Sequence, residues 1–252
     1  MKIVVCVKQV PDTAAKVVAV GGKVNWGDAP LVINPWDEYA VETALSVGGD
    51  VTALTMAEDG SNEALKHALA MGCSEAVLVS IPDPAGADTQ TAAHVLAAAV
   101  RKIGDVDLVL FGRQAVDGDS GITAAQTARA LGWPILSLCA AVNVDGATLR
   151  VERSIEEGRQ IVEAPLPAVV SVVKDIGEPR YPSFMGIRKA ARAEIPTWTA
   201  ADLGAEIPAP VVSFPDINNP PSREVVCEII DEGSPAATAA KLADRILAEK
   251  VI

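Results

Sequence analysis

Short apolar runs alternate with helical patterns along the first half of the chain, and this alternation constrains the fold more than any other feature. The predicted order is strand 3–7, helix 37–47, strand 50–56, helix 61–71, strand 76–79, helix 88–102, strand 108–111 and helix 123–131. Strand–helix–strand units close right-handed and bury a parallel sheet between two layers of helices. We therefore predict an α/β fold with an open, doubly wound, mostly parallel sheet.

The pattern changes after the last of these helices. Residues 142–144 and 149–152 flank the turn signal Asp145-Gly146, and apolar runs follow at 160–163 and 168–173. Short runs of this kind, separated by turn residues and punctuated by Pro, are typical of antiparallel strands. The sequence therefore predicts an antiparallel hairpin region beside the parallel core.

The end of the chain has a different composition. Residues 196–221 are rich in Pro, Ala and Asp, which is typical of an extended segment, and residues 235–250 carry apolar side chains at helical spacing. We divide the chain into an α/β nucleotide-binding domain at 1–195 and an extended C-terminal arm at 196–252 that ends in a helix. That helix docks on a partner or folds back on its own domain.

A glycine-rich loop joins the predicted strand 108–111 to the predicted helix 123–131 and contains Gly112, Gly118 and Gly121. Such a turn brings backbone N–H groups and the positive end of a helix dipole against a phosphate group. The loop lacks both the Walker lysine and the spacing of a dinucleotide fingerprint, so it predicts nucleotide binding without phosphoryl transfer. The other interpretation is a tight connection that needs unusual backbone angles.

Two other turns are expected at the same place. Ligands of open parallel sheets bind beyond the carboxyl ends of the strands. The turns that follow Val7, Met56 and Phe111 would therefore line one crevice.

Charge and composition exclude several functions. The formal net charge of -12 argues against a nucleic-acid or anionic-membrane partner, which would require clustered Lys and Arg. The four cysteines are far apart and predict buried thiols, and neither His67 nor His94 has metal-ligand neighbours. No catalytic triad can be assembled. With only a short apolar run at the start and no stretch long enough to span a membrane, we predict a cytoplasmic protein without membrane insertion.

Five separated motifs resemble one known family. They are Val5-Cys6-Val7-Lys8-Gln9-Val10-Pro11-Asp12-Thr13, the segment 34–42, Ala68-Leu69-Ala70-Met71-Gly72, the loop 112–119 and the segment 180–190. In this order they resemble the beta subunit of electron-transfer flavoproteins along nearly the whole chain. The resemblance implies a sheet of the adenine-nucleotide-binding type and a heterodimer whose alpha subunit holds most of the FAD, while beta binds AMP.

By this resemblance, the cofactor-binding residues are Cys6, Asn34, Pro35, Trp36, Asp37, Met56, Ala115, Val116, Asp117, Gly118, Asp119, Ser120, Gly121, Ile122, Thr123, Ala124, Ala125 and Gln126. Backbone groups near Cys6 and Met56 would fit adenine, and residues 120–123 would take the phosphate. Asp117 and Asp119 are interpreted as turn formers, because a carboxylate that faced the phosphate would repel it.

The segment 180–192 resembles the family's recognition loop, which inserts an apolar side chain into a pocket of partner dehydrogenases. That side chain is Phe184 here, where many relatives have Leu. The partner-recognition residues are Arg180, Tyr181, Phe184, Arg188, Lys189 and Arg192. The four basic residues would steer the chain toward acidic partners. The other interpretation is an ordinary amphipathic surface loop.

The resemblance implies an electron carrier rather than a stand-alone enzyme. Electrons would enter from a flavin dehydrogenase such as an acyl-CoA dehydrogenase and leave to a quinone-linked or other acceptor. Since the flavin does the chemistry, no catalytic residue is expected on this chain.

Two other functions stay open. The turn 11–13, residues 86–89 and the longer arm resemble bifurcating relatives, in which beta holds a second FAD that oxidises NADH, whereas Thr123 resembles the AMP-binding type. From another class, the chain could be a nucleotide-binding sensor module without a redox role. A module of that kind would lack the segment 180–192 and the arm.

Overall fold

The structure is a computed structural model that describes residues 1–214, 216–222 and 227–250. It divides into two compact units, the first at 1–217 and the second starting at Asn218. No described helix is both long and apolar enough to cross a bilayer.

The strands and helices follow the chain in the order β1 (Lys2–Cys6), β2 (Gln9–Pro11), β3 (Val18–Val20), β4 (Lys23–Asn25), β5 (Leu31–Ile33), α1 (Pro35–Val47), β6 (Asp50–Ala57), α2 (Glu63–Met71), β7 (Glu75–Ser80), α3 (Thr89–Ile103), β8 (Leu108–Gly112), α4 (Thr123–Leu131), β9 (Ile135–Asp145), β10 (Thr148–Ile155), β11 (Gly158–Pro165), β12 (Ala168–Val172), α5 (Phe184–Ala190), β13 (Thr197–Thr199) and α6 (Pro235–Ala248). Single 3₁₀ turns lie at Lys174–Ile176 and Ala201–Leu203.

The described residues form one nine-stranded sheet with the order β11-β10-β9-β12-β8-β1-β6-β7-β13. The seven neighbouring strands β9, β12, β8, β1, β6, β7 and β13 pair in parallel. At the other end of the sheet, β10 pairs antiparallel with both β9 and β11. The predicted doubly wound, mostly parallel α/β fold is therefore confirmed. The predicted hairpin region is a continuation of this same sheet, because β9 pairs with β12 along its first half and with β10 along its second.

The core lies on both faces of the sheet, as a doubly wound fold requires. In β1, Ile3 and Val5 pack on the face that α1 and α2 cover, while Val4 and Cys6 pack on the face that α3 and α4 cover. Ile3, Val4 and Val5 are completely buried. Each such side chain contributes about 1.5–3 kcal/mol to folding, and the continuous apolar run of β1 follows from its burial on two faces.

Residues 196–214, 216 and 217 belong to the first unit. Trp198 of β13 pairs with Val79 of β7, so the sheet gains a ninth strand from the part of the chain that the sequence assigned to the arm. Further along, Asp88 Oδ2 accepts hydrogen bonds from the N–H groups of Val211 at 2.7 Å and Val212 at 3.1 Å. Backbone pairing of so short a strand leaves no hydrophobic pattern in the sequence.

The second unit contains the predicted C-terminal helix as α6, capped by the hydroxyl of Ser234. Cys227 of this unit is exposed, whereas Cys6, Cys73 and Cys139 are buried. The expectation of four buried thiols is therefore wrong for Cys227, which lies in a segment without regular structure.

Candidate functional site

Three loops leave the sheet at the carboxyl ends of its central strands, which we call the carboxyl edge of the sheet. The central strand β1 pairs in parallel with β6 and β8, and Cys6 lies opposite Leu54 on one side and Phe111 on the other. The carboxyl ends of the three strands are therefore level. The loops that follow them start side by side, as expected for a ligand site in this fold.

Asn34 connects two of the converging segments. Its side chain is completely buried at the start of α1. Its Nδ2 donates to the carbonyl of Gln114 at 2.8 Å, and its Oδ1 accepts from the N–H of Val116 at 3.1 Å. Its own N–H donates to the carbonyl of Lys8 at 2.8 Å. One amide side chain thus fixes the glycine-rich loop against α1.

Asp37 makes a second connection in the first turn of α1. Its Oδ2 accepts from the N–H of Lys8 at 2.8 Å. Burial raises the pKa of Asp37 to about 7, against the lowering effect of hydrogen bonds from Asn34, Lys8 and Gly112. A side chain at Gly112 would clash, because a Cβ there would lie 2.5 Å from Asp37 Oδ1. Only glycine allows the end of β8 to approach α1 this closely.

Burial also governs the neighbouring thiol. Desolvation, and secondarily the Asp37 carboxylate, raise the pKa of Cys6 well above its ordinary value. The thiol is therefore protonated and unreactive at neutral pH. Met56, at the end of β6, is half-buried and packs against the apolar cluster below α3 and α4.

The two carboxylates of the glycine-rich loop are both engaged. Lys8 Nζ lies 2.6 Å from one oxygen of Asp117 and 2.8 Å from the other. Asp119 adopts a left-handed conformation with φ of 49°, and its Oδ1 accepts from Gln114 Nε2 at 2.7 Å. Its N–H also donates to the Ala115 carbonyl at 2.8 Å, which closes a turn. The ammonium group of Lys8 thus balances the charge of Asp117, whereas Asp119 keeps its charge and is held in the turn by neutral donors.

The start of α4 is suited to an anion. Its N-cap residue is Ile122, which has no side chain that could accept a hydrogen bond from the first turn. The first backbone N–H groups of a helix have no partner within the helix, so a ligand oxygen can accept from them. Ser120, Gly121 and Ile122 are exposed on the approach to this turn, whereas Ala124 is buried beneath it. The residues present therefore fit a phosphate group here.

Sequence reasoning gave no role in the site to Lys8 and Gln114, and it did not foresee the close contact of Gly112 with Asp37. Lys8 could have been found, since it directly follows a predicted strand that ends at the converging edge. The bonds of Gln114 depend on the conformation of the loop, which no local pattern specifies. Arg113 lies 5.7 Å from the ring centroid of Trp36, which adds a cation–π contact between loop and helix.

Within the segment 180–192, residues Phe184–Ala190 form the short helix α5, and residues 180–183 precede it without regular structure. In α5, Ser183 caps the helix by accepting from the N–H of Gly186 at 2.9 Å. Tyr181 is 94% exposed and Phe184 is 73% exposed. These are large fractions for aromatic side chains and indicate an interaction surface.

Arg180 differs from the other basic residues of this segment. It forms an ion pair with Glu42 of α1, so its charge is balanced within the chain. Arg188, Lys189 and Arg192 make no ion pair with any described residue. Arg188 lies 6.0 Å from the ring centroid of Phe184. The charge available to a partner therefore comes from these three residues.

The nucleotide-site residues and the residues of α5 lie toward opposite ends of the parallel strands. The nucleotide-site residues gather at the carboxyl ends of the strands. Because α2 starts at this edge and runs back antiparallel to β6, its last turn lies toward the amino ends. The contact between Gly186 and Ala70 in that last turn places α5 there.

Comparisons with known proteins identify the family of the chain. Residues 24–203 match the family described as electron transfer flavoprotein domain. The chain is 34% identical to the electron transfer flavoprotein subunit beta of Megasphaera elsdenii, over 100% of both chains. It is 37% identical to the caffeyl-CoA reductase-Etf complex subunit CarD of Acetobacterium woodii, over 81% of this chain and 80% of CarD. It is also 38% identical to the protein FixA of Azorhizobium caulinodans, over 82% of this chain and 78% of FixA. The five motifs, the fold and these similarities over most or all of the chain agree, and the chain belongs to the electron transfer flavoprotein family as a beta subunit.

Proposed function

We propose that this chain pairs with an alpha subunit to carry electrons between a flavin dehydrogenase and a quinone-linked or other acceptor, and that it binds AMP at the carboxyl edge of the sheet. The observation that supports the nucleotide most directly is the first turn of α4, which has no side-chain cap and follows a loop whose Asp117 is paired with Lys8.

Each residue of the edge has a definite role in this proposal. Backbone N–H groups in the first turn of α4 and the hydroxyl of Ser120 would hold the phosphate. Asn34 and Asp37 would keep the glycine-rich loop in its binding conformation through the hydrogen bonds described above. Lys8 would neutralise Asp117, which otherwise repels the phosphate.

The chain's contribution to electron transfer is positional. The FAD held mainly by the alpha subunit supplies the redox chemistry, and the beta chain supplies binding and orientation. In this role α5 would present Phe184 to the dehydrogenase, and the basic residues 188, 189 and 192 would attract acidic groups at the rim of its pocket.

A second candidate is a bifurcating subunit that binds FAD in place of AMP and accepts electrons from NADH. It is favoured by the similarity to CarD, whose name assigns it to a reductase-Etf complex. The same α4 turn would then hold the pyrophosphate of the dinucleotide.

The cofactor inventory of the heterodimer distinguishes the two candidates. The chain would be co-expressed with its alpha subunit, purified, and heated to release bound nucleotides for chromatography and absorbance. One FAD and one AMP per heterodimer support the simple carrier. Two FAD and no AMP support the bifurcating subunit. Absence of any adenine ligand, or of a stable partner, would overturn both proposals.

A further inference from the structure

We propose that Glu42 of α1 is a positioning residue for partner docking, which fixes the orientation of α5 through Arg180. This inference rests on the proposed function of α5 as the recognition helix. It assigns a role to a residue that touches neither the nucleotide site nor the exposed face of α5.

The contact between Glu42 and Arg180 is unusually complete for a surface pair. Arg180 Nε donates to Oε2 of Glu42 at 2.7 Å, and Nη2 donates to Oε1 at 2.9 Å. The backbone N–H of Arg180 also donates to Oε2 at 3.0 Å. One carboxylate therefore holds both the side chain and the main chain of Arg180. Bidentate pairs of this kind add geometric specificity, which a single long contact cannot provide.

The anchor point is rigid. Glu42 lies between Val41 and Thr43, which are buried in the core. The side chain of Glu42 is itself only 20% exposed, and its hydrogen bonds with Arg180 lower its pKa, so it is ionised at neutral pH. By contrast, residues 177–183 belong to neither helix nor strand. The pair thus attaches an irregular segment to a fixed helix, directly before α5 begins.

The inner face of α5 is fixed by a second contact. A Cβ at Gly186 would lie 2.3 Å from the carbonyl oxygen of Ala70, so the two backbones touch without an intervening side chain. Ala190, one turn later on the same face, is buried. At 100° per residue, Phe184 and Arg188 lie about 200° from Gly186 and therefore point away from α2. The contact of Gly186 with α2 and the Glu42–Arg180 pair before the helix together determine the direction of α5.

The outer face carries the apolar side chains. Phe184, Met185 and Ile187 are 73%, 69% and 52% exposed. An aromatic anchor contributes to affinity only if it enters its pocket in the right orientation. We expect loss of the Glu42 contact to let α5 rotate and fray, so that fewer encounters with the dehydrogenase are productive.

The test compares Glu42→Ala, Phe184→Ala and the double variant as heterodimers with the alpha subunit. The matched control is Glu63→Ala, which removes one carboxylate from another exposed ion pair, with Lys66 at 2.8 Å. Two quantities are measured: KM and kcat for reduction by a substrate-reduced acyl-CoA dehydrogenase, and hydrogen exchange of the amides in residues 184–190. Arg180→Ala removes the two side-chain bonds of the pair but keeps the bond from the backbone N–H of Arg180 to Glu42. It should therefore change KM and exchange in the same direction as Glu42→Ala, but by less.

We expect Glu42→Ala to raise KM roughly five- to tenfold with kcat little changed, since it impairs docking and not the transfer step. It should also speed exchange of the α5 amides, whereas Glu63→Ala should change neither quantity. In the Phe184→Ala background, Glu42→Ala should raise KM little further, because its effect passes through Phe184.

Three results would distinguish the positioning role of Glu42 from the recognition role of α5. Unchanged exchange in α5 would overturn the positioning role, whatever the kinetics. Faster exchange with fully additive effects on KM would overturn it as well, since Glu42 would then act on the partner independently. A Phe184→Ala variant with normal KM would overturn the recognition role of α5 instead, and the exchange data would still decide whether Glu42 holds the helix.

Discussion

At the scale of single residues, the buried carboxyl of Asp37 is the most informative group of the nucleotide edge. It accepts the N–H of Lys8 and lies against Gly112, so it joins α1 to the ends of β1 and β8. Its burial raises the pKa from 3.8 to about 7. The folded protein therefore binds this proton more tightly than the unfolded chain does.

This shift predicts a pH dependence of stability. Because the folded pKa is the higher one, the carboxyl favours folding most below pH 4, and this contribution is lost as the pH rises toward 7. Between these two pKa values Asp37 lowers the free energy of unfolding by up to about 1.4 kcal/mol for each pH unit of increase, and Asp37→Asn should remove this slope. Denaturant titrations of the wild-type protein and of Asp37→Asn between pH 5 and 8 measure how the free energy of unfolding depends on pH. Equal slopes would show that Asp37 ionises normally.

The open side of the glycine-rich loop gives a second prediction. A Cβ at Gly118 would meet no heavy atom within 4 Å, so a larger residue fits the folded chain. We expect Gly118→Leu to reduce adenine-nucleotide retention in the purified heterodimer with no change in melting temperature. Ala147→Leu, in the exposed turn between β9 and β10, serves as the control. Normal nucleotide retention in Gly118→Leu would show that the nucleotide binds elsewhere.

At the scale of elements, α5 tests partner recognition directly. We expect Phe184→Ala to slow electron transfer from an acyl-CoA dehydrogenase roughly tenfold, while the flavin content stays normal. Phe184→Leu should keep part of the rate, because Leu also fills an apolar pocket. Phe214→Ala removes another phenylalanine, 80% exposed, as the control. Stopped-flow traces that coincide for wild type and Phe184→Ala would contradict the assignment.

Asp88 links two other elements. It caps α3 by accepting from the N–H of Thr91 and also holds Val211 and Val212. Asp88→Ala should therefore destabilise the chain by about 1–2 kcal/mol, the usual effect of losing a cap, and should speed amide exchange at 211 and 212. Hydrogen exchange followed by peptide mass analysis measures both regions. If Asp88→Ala speeds exchange only at the start of α3, residues 211 and 212 are held by other contacts.

The elements also show what sequence reasoning can and cannot reach. The alternation of apolar runs and helical patterns predicted the parallel core, because burial on two faces leaves a continuous Val- and Ile-rich signal in strands such as β1. It did not predict β13 or α5. β13 is stabilised by backbone pairing with β7, and α5 by a cap and a glycine contact, none of which changes hydrophobic periodicity. For the site, the resemblance supplied the residues, but the bonds from Asn34 and Asp37 depend on tertiary contacts.

At the scale of the whole molecule, the first unit has its own core and the second does not. No residue of α6 is buried among the described residues, and Leu242 and Leu247 are 50% and 61% exposed. We expect a chain truncated after residue 217 to fold on its own but to associate more weakly with the alpha subunit. Circular dichroism and co-purification measure the two effects. A truncated chain that binds alpha as the full chain does would show that the second unit does not contribute to this association.

The contact between Gly186 and Ala70 has a consequence for how such a chain can diversify. The helix is held from below by main-chain atoms, so none of the side chains that project outward is needed to keep it in place. Selection can therefore replace the outward residues, Phe184 among them, without disturbing the scaffold beneath. A lineage could change which enzyme it serves by a few surface substitutions, while the glycine at 186 stays fixed.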